Sequence, residues 1–592
     1  MAARPEAAVS LPILPRIRVR GNLLPFLAIG FTFWLVVVPL FVLVLFSFRH
    51  GTPWNPGAFT LDHYLTAYSD PQVYGMFINT AILAAASTLI ALSIAVLFAF
   101  LTERTDMPFR NVAWGLMLVP MAVPGLLFGI SWTFLLSPKV GLINVWLRSL
   151  LALFGIEISE GPLNIYSLWG MVFLEGIRGV TTIFLMIVGA FRAMDPNLEE
   201  AARVSGASNR IAFFRIFIPL LTPALFAAGM YSFMTHLESL EIPMIVGFPA
   251  GIYVFPTYIY FAAQRFTPPR YGLSAALAAT FLIVSVLLVY CYHRVAGKRG
   301  RFATVTGKGY RPRVISLGKW RYPAFALFLA YFLLTIAAPT FILLWRSLMR
   351  YYVIPSWSAL SQLTLVQYWG LFEEERVLQA TANTVLVGVT TATLTMFLCL
   401  MTSWVVIRGK FRGRFLLDGL TFLPHAIPGV VIGIALIVLY IHPLLSFLPL
   451  YGTIWLIVLG LSAGYIAFGS RSMNGAVAQI HAELEEAAQV SGVQRTVVLR
   501  RIVFPLLLPA FVSGWIWVAT HSLRSFSIPL MLSTRENKVL SVVMWDLWTE
   551  GQAGPASALG VLLIVALAVF TSAGRWLVSR WSRQEEGQPV KT

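Results

Sequence analysis

Two stretches decide how this chain is read: Glu199–Pro223, EEAARVSGASNRIAFFRIFIPLLTP, and Glu485–Pro509, EEAAQVSGVQRTVVLRRIVFPLLLP. Thirteen of the 25 aligned positions are identical. The shared form is E-A-A-x3-G-x9-I-x-x-P, carried by Glu200, Ala201, Ala202, Gly206, Ile216 and Pro219, and again by Glu486, Ala487, Ala488, Gly492, Ile502 and Pro505. Both copies are polar islands in an apolar chain, so packing against lipid does not account for their agreement. Local chemistry predicts a short helix, a forced turn and a second helix. In the first copy Asp195-Pro196 suits the N-cap and first helical position, and Glu199 and Glu200 sit near the positive helix end. In the second copy Glu485 and Glu486 take those places, but His481-Ala482 replaces the Asp-Pro cap. The paired alanines leave a smooth face on which another surface can pack. Gly206 and Gly492 permit the left-handed conformation that ends a helix.

The surroundings of these loops are membrane-like. Of the 592 residues, 58% are hydrophobic and 11% charged, against about 25% charged in a soluble protein. A span needs about 20 largely apolar residues. That window predicts twelve: 24–47, 76–101, 112–136, 164–190, 219–245, 273–292, 322–345, 379–407, 415–441, 451–471, 505–531 and 556–579. The apolar piece 141–156 is short and contains Arg148, which predicts an interfacial or re-entrant helix. The expected fold class is therefore an all-α polytopic membrane protein. The two cysteines, Cys291 and Cys399, lie far apart in apolar runs and indicate neither a disulfide framework nor a thiolate metal site.

A formal charge of +18 on a soluble chain would suggest nucleic acid, but here it reports sidedness. With the N-terminus inside, 31 of the 43 Lys and Arg residues fall on one side. Both termini and both polar loops are then expected in the cytoplasm, in a multi-pass membrane protein. Residues 293–321 hold nine basic residues and no acid, which reads as a flexible cytoplasmic linker close to the membrane surface rather than a nucleic-acid tail.

The duplication extends beyond the loops. Asn79-Thr80, Val119-Pro120-Met121-Ala122-Val123-Pro124-Gly125 and Gly129 recur 304 residues later as Asn383-Thr384, Leu423-Pro424-His425-Ala426-Ile427-Pro428-Gly429 and Gly433. From the polar loops to Ile242-Pro243 and Ile528-Pro529 the offset is 286. The difference falls where the 141–156 piece is inserted. Both copies place their loop on the same side, so the repeat is parallel. The units are expected at 1–292 and 322–592, with loops at 195–219 and 481–505 and the linker between.

Here the sequence resembles a family, the ABC importer permeases of the MetI-like, type I class, whose E-A-A-x3-G-x9-I-x-L-P loop forms coupling helices. Both copies match at the Glu, Ala-Ala, Gly, Ile and Pro; the Leu before the Pro is Ile218 in one and Phe504 in the other. The resemblance implies two six-span permease units in one chain, with Glu199, Glu200, Ala201, Ala202 and Gly206, and Glu485, Glu486, Ala487, Ala488 and Gly492, coupling to ATPases. It also implies two cytoplasmic ABC ATPase subunits that bind ATP and Mg, and a periplasmic or extracellular substrate-binding protein. The chain itself shows no Walker A sequence, no HExxH and no nucleophile elbow, so it is expected to be no enzyme and to carry no cofactor, catalytic residue or metal site. A secondary transporter or channel would also show twelve spans in parallel repeats, but would need no repeated docking loop.

Ionisable residues within spans are costly and mark pathways. Glu175 and Arg178 lie three apart and can pair. His236, Glu238 and Glu241 fall in the outer half of span five, His521 and Arg524 in the equivalent part of span eleven, and His425 between two prolines of span nine. The repeat aligns Glu238 with Arg524. One reading makes Glu175–Arg178 and Glu238–Arg524 structural pairs. The other has His236, Glu238 and Glu241 facing a central cavity and contacting or gating a cation. The fusion of two units resembles ferric-iron permeases, which implies iron as substrate; thiamine, polyamines and phosphonates are the alternatives.

Overall fold

The computed structural model describes residues 23–192, 214–215, 218–296, 315–409, 413–493 and 495–585. Among them, ten helices are long and apolar enough to cross a membrane, or 13 spans if each of three bent helix pairs is one. All twelve expected stretches are helical. Those at 112–136 and 415–441 are bent pairs, and those at 219–245 and 505–531 end early, at Leu237 and Leu523. The third bent pair, Pro243–Ala250 with Phe255–Gln264, bends by 79° and was not expected. Each of its arms is too short to register as a span in the sequence. The piece around Arg148 forms an 11-residue helix, Leu142–Ala152, too short to cross. Asn144, buried beneath it, donates to the carbonyls of Leu136, Ser137 and Leu163, while Trp146 and Leu150 are exposed.

The two longest helices of the membrane region are repeats of one another. Pro71–Arg104 and Glu375–Arg408 have 34 residues each, about 51 Å at 1.5 Å per residue, well beyond the bilayer core. The Asp70 side chain accepts from the Gln72 backbone N–H at 2.9 Å, with Pro71 at the first position, which fixes the start of the first. Asn79-Thr80 and Asn383-Thr384 explain themselves here. Thr80 Oγ1 accepts the Phe255 N–H at 2.8 Å and Thr384 Oγ1 accepts the Leu540 N–H at 2.8 Å. Asn79 and Asn383 donate to the nearby carbonyls of Tyr253 and Lys538. The motif thus tethers the first turn of helices Phe255–Gln264 and Leu540–Thr549 to the long helices. Changing Thr384 to Val leaves the buried Leu540 N–H without an acceptor, at a cost of about 1–3 kcal/mol. We expect a lower melting temperature in detergent for T384V and near-normal melting for T384S; equal melting for the two would remove this role.

The halves interlock. Helix Leu23–Ser47 packs on Gly429–Ile441 of the second half, where Trp34 Nε1 donates to the Tyr440 hydroxyl at 3.2 Å. Reciprocally, helix Ala338–Ser347 packs on Gly125–Leu136 of the first half. Nearby, Tyr331 donates to the Ile177 carbonyl at 3.0 Å, and Phe328 stacks on Phe98 with centroids 4.1 Å apart. One continuous apolar core contains residues of both halves.

Of the expected linker, 297–314 lies outside the described residues. Its end is fixed to the first half rather than free. Ile315 bridges Thr105, and Asp106 accepts the Leu317 N–H at 2.7 Å and the Ser316 hydroxyl at 3.2 Å. The Leu317 N–H holds the Asp106 carboxyl below its ordinary range.

Candidate functional site

The site begins with the two proline-broken spans. Helix Arg110–Leu118 runs into a short 3-10 turn, and the chain bends by 100° before the helix restarts at Gly125. Pro120 and Pro124 bring no N–H, and Val123, just before Pro124, is extended at φ −83°, ψ 122°. Pro424 and Pro428 bend the second copy by 108°, with Ile427 at φ −108°, ψ 117°. Irregular backbone at this depth is tolerated where it is buried in protein or lines a cavity. A cavity of about 370 Å³ lies against the first break, lined by Pro120, Pro124 and Gly125. Its other walls are Glu175, Arg178, His236, Glu238 and Glu241 of the first half and Tyr465, His521 and Arg524 of the second. The structure thus brings together every expected pathway residue except His425.

Arg178 is the hub of the cavity. Its Nη1 lies 3.1 Å from Glu241 Oε2 and its Nε 3.5 Å from Glu175 Oε2. Glu175, only 1% exposed, also has His236 Nδ1 at 3.5 Å and accepts from the Ser239 hydroxyl. A buried carboxylate remains tolerable only with this kind of compensation. Gly125 is part of the arrangement. A Cβ there would fall 1.8 Å from Glu241 Oε2 and 2.0 Å from Arg178 Nη1, so only glycine lets the restarting helix approach the pair.

Glu238 and Arg524, aligned by the repeat, do not pair. Arg524 instead donates to the Met121 carbonyl at the first break. Glu238 lines the large cavity and also a smaller one of about 90 Å³, which it shares with His425 of the second break. Positions related by a pseudo-two-fold axis need not touch, and each of these two reaches toward the break of the other half. His425 stacks on Tyr231 across the two halves, centroids 5.4 Å apart. His521 is held by the Trp517 carbonyl at 2.9 Å and stacks on that Trp ring at 3.8 Å. Among the described residues no cluster of three or more His, Cys, Asp or Glu side chains could hold a metal ion. The cavity is lined by carboxylates, imidazoles and guanidinium groups together.

The first polar loop, with Glu199, Glu200, Ala201, Ala202 and Gly206, lies outside the described residues. In the second, Ala482–Val490 is helical and Gly492 follows at φ +80°, the left-handed conformation expected there. Glu486 and Ala487 are exposed and Ala488 is half-buried, but Glu485 is only 6% exposed. Its carboxylate accepts from Arg408 Nε at 2.9 Å and Trp404 Nε1 at 3.3 Å. Neither partner was expected from sequence, although Arg408 lies 304 residues after Arg104, at the offset of the repeat.

Comparison with known proteins gives these features a likeness to importer permeases. Residues 397–583 match the family described as binding-protein-dependent transport system inner membrane component. The ferric transport system permease protein FbpB of Actinobacillus pleuropneumoniae is 23% identical over 92% of this chain and 76% of its own length. The Fe(3+)-transport system permease protein FbpB 2 of Haemophilus influenzae is 23% identical over 84% of this chain and 88% of its own length. The sulfate transport system permease protein CysT of Salmonella typhimurium, 28% identical, covers 38% of this chain and 86% of its own. The first two are thus similar along both halves, and the third along one. Over residues 397–583 the chain matches the binding-protein-dependent transport permeases, and along both halves it is similar to fused multi-pass inner-membrane permeases.

Proposed function

We propose that this permease carries ferric iron across the inner membrane by alternating access, driven by two cytoplasmic ATPase subunits that bind ATP and Mg and supplied by a periplasmic or extracellular iron-binding protein. The observation that carries this reading is the cavity between the halves, where Glu175, Glu238 and Glu241 face Arg524 and His521 beside a broken span. Two full-length relatives bearing ferric transport names support the substrate. The excess of Lys and Arg on one side supports a cytoplasmic position for both termini and both polar loops. On this reading the exposed Glu486 and Ala487 seat in one ATPase, and Glu200 and Ala201, which match them in sequence, in the other. The cavity groups line the path, with Arg178 holding the carboxylates in place rather than binding the cargo.

The test is uptake into proteoliposomes holding the permease, its ATPases and its binding protein, offered ferric iron, thiamine, spermidine and a phosphonate in turn. ATP-dependent accumulation of iron alone is expected. Accumulation of one of the others would replace the substrate, and accumulation without ATPase or ATP would replace the coupling.

A further inference from the structure

Of the two adjacent acids of the second polar loop one is buried and the other exposed, and this separates two roles that the motif runs together. Glu486 is exposed, as are Leu484 at 48% and Val490 at 90%. These positions are open to a partner. Glu485 points into the permease, where both its oxygens are engaged by Arg408 and Trp404. A carboxylate so placed cannot also reach a docked protein.

Arg408 joins three elements at one point. It is the last residue of helix Glu375–Arg408, its Nε meets Glu485 of the loop helix, and its Nη2 donates to the carbonyls of Val477 and Ile480. Those carbonyls close the end of helix Ile454–Gln479, where backbone acceptors lack intrahelical partners. The device is repeated. Arg104 ends the matching helix Pro71–Arg104, and its Nε donates to the Phe191 carbonyl at 3.1 Å, at the end of helix Leu168–Arg192. Arg104 and Arg408 are separated by the 304 offset, and Phe191 and Val477 by the 286 offset. An arginine at the foot of each 34-residue helix therefore fastens the end of the helix that leads into the polar loop.

We propose that Glu485 is a positioning residue: through Arg408 it clamps the loop helix 482–490 to the foot of helix 375–408. Displacement of the loop by a docked ATPase is thereby passed to the spans rather than absorbed in the loop. The inference rests on the ATPase-docking reading above and adds which acid docks and which transmits. A charge-assisted hydrogen bond to one carboxylate oxygen, with the Trp404 indole on the other, is short and directional, so it moves with the helix it holds. Helix 375–408 packs in turn against helices 454–479 and 504–523, the latter ending beside Arg524 at the cavity.

The experiment uses the full-length permease reconstituted with its ATPases and binding protein, comparing E485Q, E486Q, R408A and R408K. Three quantities are read: ATPase co-purified per permease, stimulation of ATP hydrolysis by loaded binding protein, and substrate moved per ATP. For E485Q and R408A, ATPase capture should stay near normal while substrate moved per ATP falls roughly tenfold. E486Q should instead lose capture. R408K, which keeps a cationic donor at the foot of the helix, should recover part of the transport ratio lost in R408A. Loss of capture in E485Q would make Glu485 a docking contact and overturn the proposal. So would a lower melting temperature with an unchanged transport ratio, which would reduce the clamp to a fold stabiliser. If R408A fails to fold, E485Q and R408K still decide the matter, because E485Q keeps the side-chain shape. Failure of the wild-type permease to capture any ATPase would instead sink the docking reading itself.

Discussion

Replacing Arg178 with Ala should abolish uptake and lower the melting temperature of the purified permease. Arg178 answers two carboxylates at once, Glu241 at 3.1 Å and Glu175 at 3.5 Å. Its removal leaves Glu175, 1% exposed, with only His236 and Ser239, and leaves Glu241 with no ion-pair partner among the described residues. Breaking a buried pair by removing one partner costs about 3–5 kcal/mol, because the other charge stays behind. The expected effect on transport follows from the same geometry: the carboxylates that line the cavity lose the group that spaces them. R178K should recover part of the stability but not full transport, since a single ammonium cannot reproduce the planar fork that reaches both acids. Uptake and melting are measured on the same preparations. Wild-type uptake by R178A would show the cluster to be outside the pathway.

The second large effect is expected from one methyl group. At Gly125 a Cβ would lie 1.8 Å from Glu241 and 2.0 Å from Arg178, so G125A must drive the pair apart or move the helix that starts there. At the matching Gly429 the nearest atoms are Ile528 Cγ1 at 3.1 Å and Ser527 Cβ at 3.2 Å, which can yield by a few tenths of an ångström. Overpacking typically costs about 1–3 kcal/mol, and at Gly125 the added loss of an ion pair falls on the cavity itself. Uptake should therefore collapse in G125A and persist in G429A. Equal effects of the two substitutions would contradict the asymmetry of the site. The difference arises because Ser527 stands where the repeat would place a second Glu241.

The repeat offsets explain why so much of this architecture could be read in advance. Apolar runs located the spans, prolines located the breaks, and rarity of charge within spans pointed to Glu175, Arg178, His236, Glu238, Glu241, His521 and Arg524, which the fold gathers around one cavity. Pairing was less legible. Arg178 could be matched to Glu175 by helical spacing, but its contact with Glu241 is made 63 residues away and depends on where helix 218–237 stops. The alignment of Glu238 with Arg524 suggested a bridge, whereas each residue turns to the opposite break. The inward turn of Glu485 was also hidden, because neighbouring positions on a helix are about 100° apart and sequence alone does not say which one faces the bundle. The third bent pair escaped for a different reason: its arms are short, and Thr80 and Asn79 hold the start of the second arm and the break before it rather than a long apolar run.

The interlocking of the halves has a consequence in time. Trp34 finds Tyr440 406 residues later in the chain. At about 5–20 residues per second of synthesis, the first helix spends on the order of 20–80 s in the bilayer before its partner exists. It can wait because a spanning helix satisfies its own backbone hydrogen bonds and needs no neighbour to remain inserted. The helix that packs on Gly125–Leu136 arrives late in the same way, near Ala338–Ser347. Biogenesis of this permease is therefore ordered by the ribosome: the first half is threaded, held open in lipid, and closed only when the second half emerges to exchange helices with it.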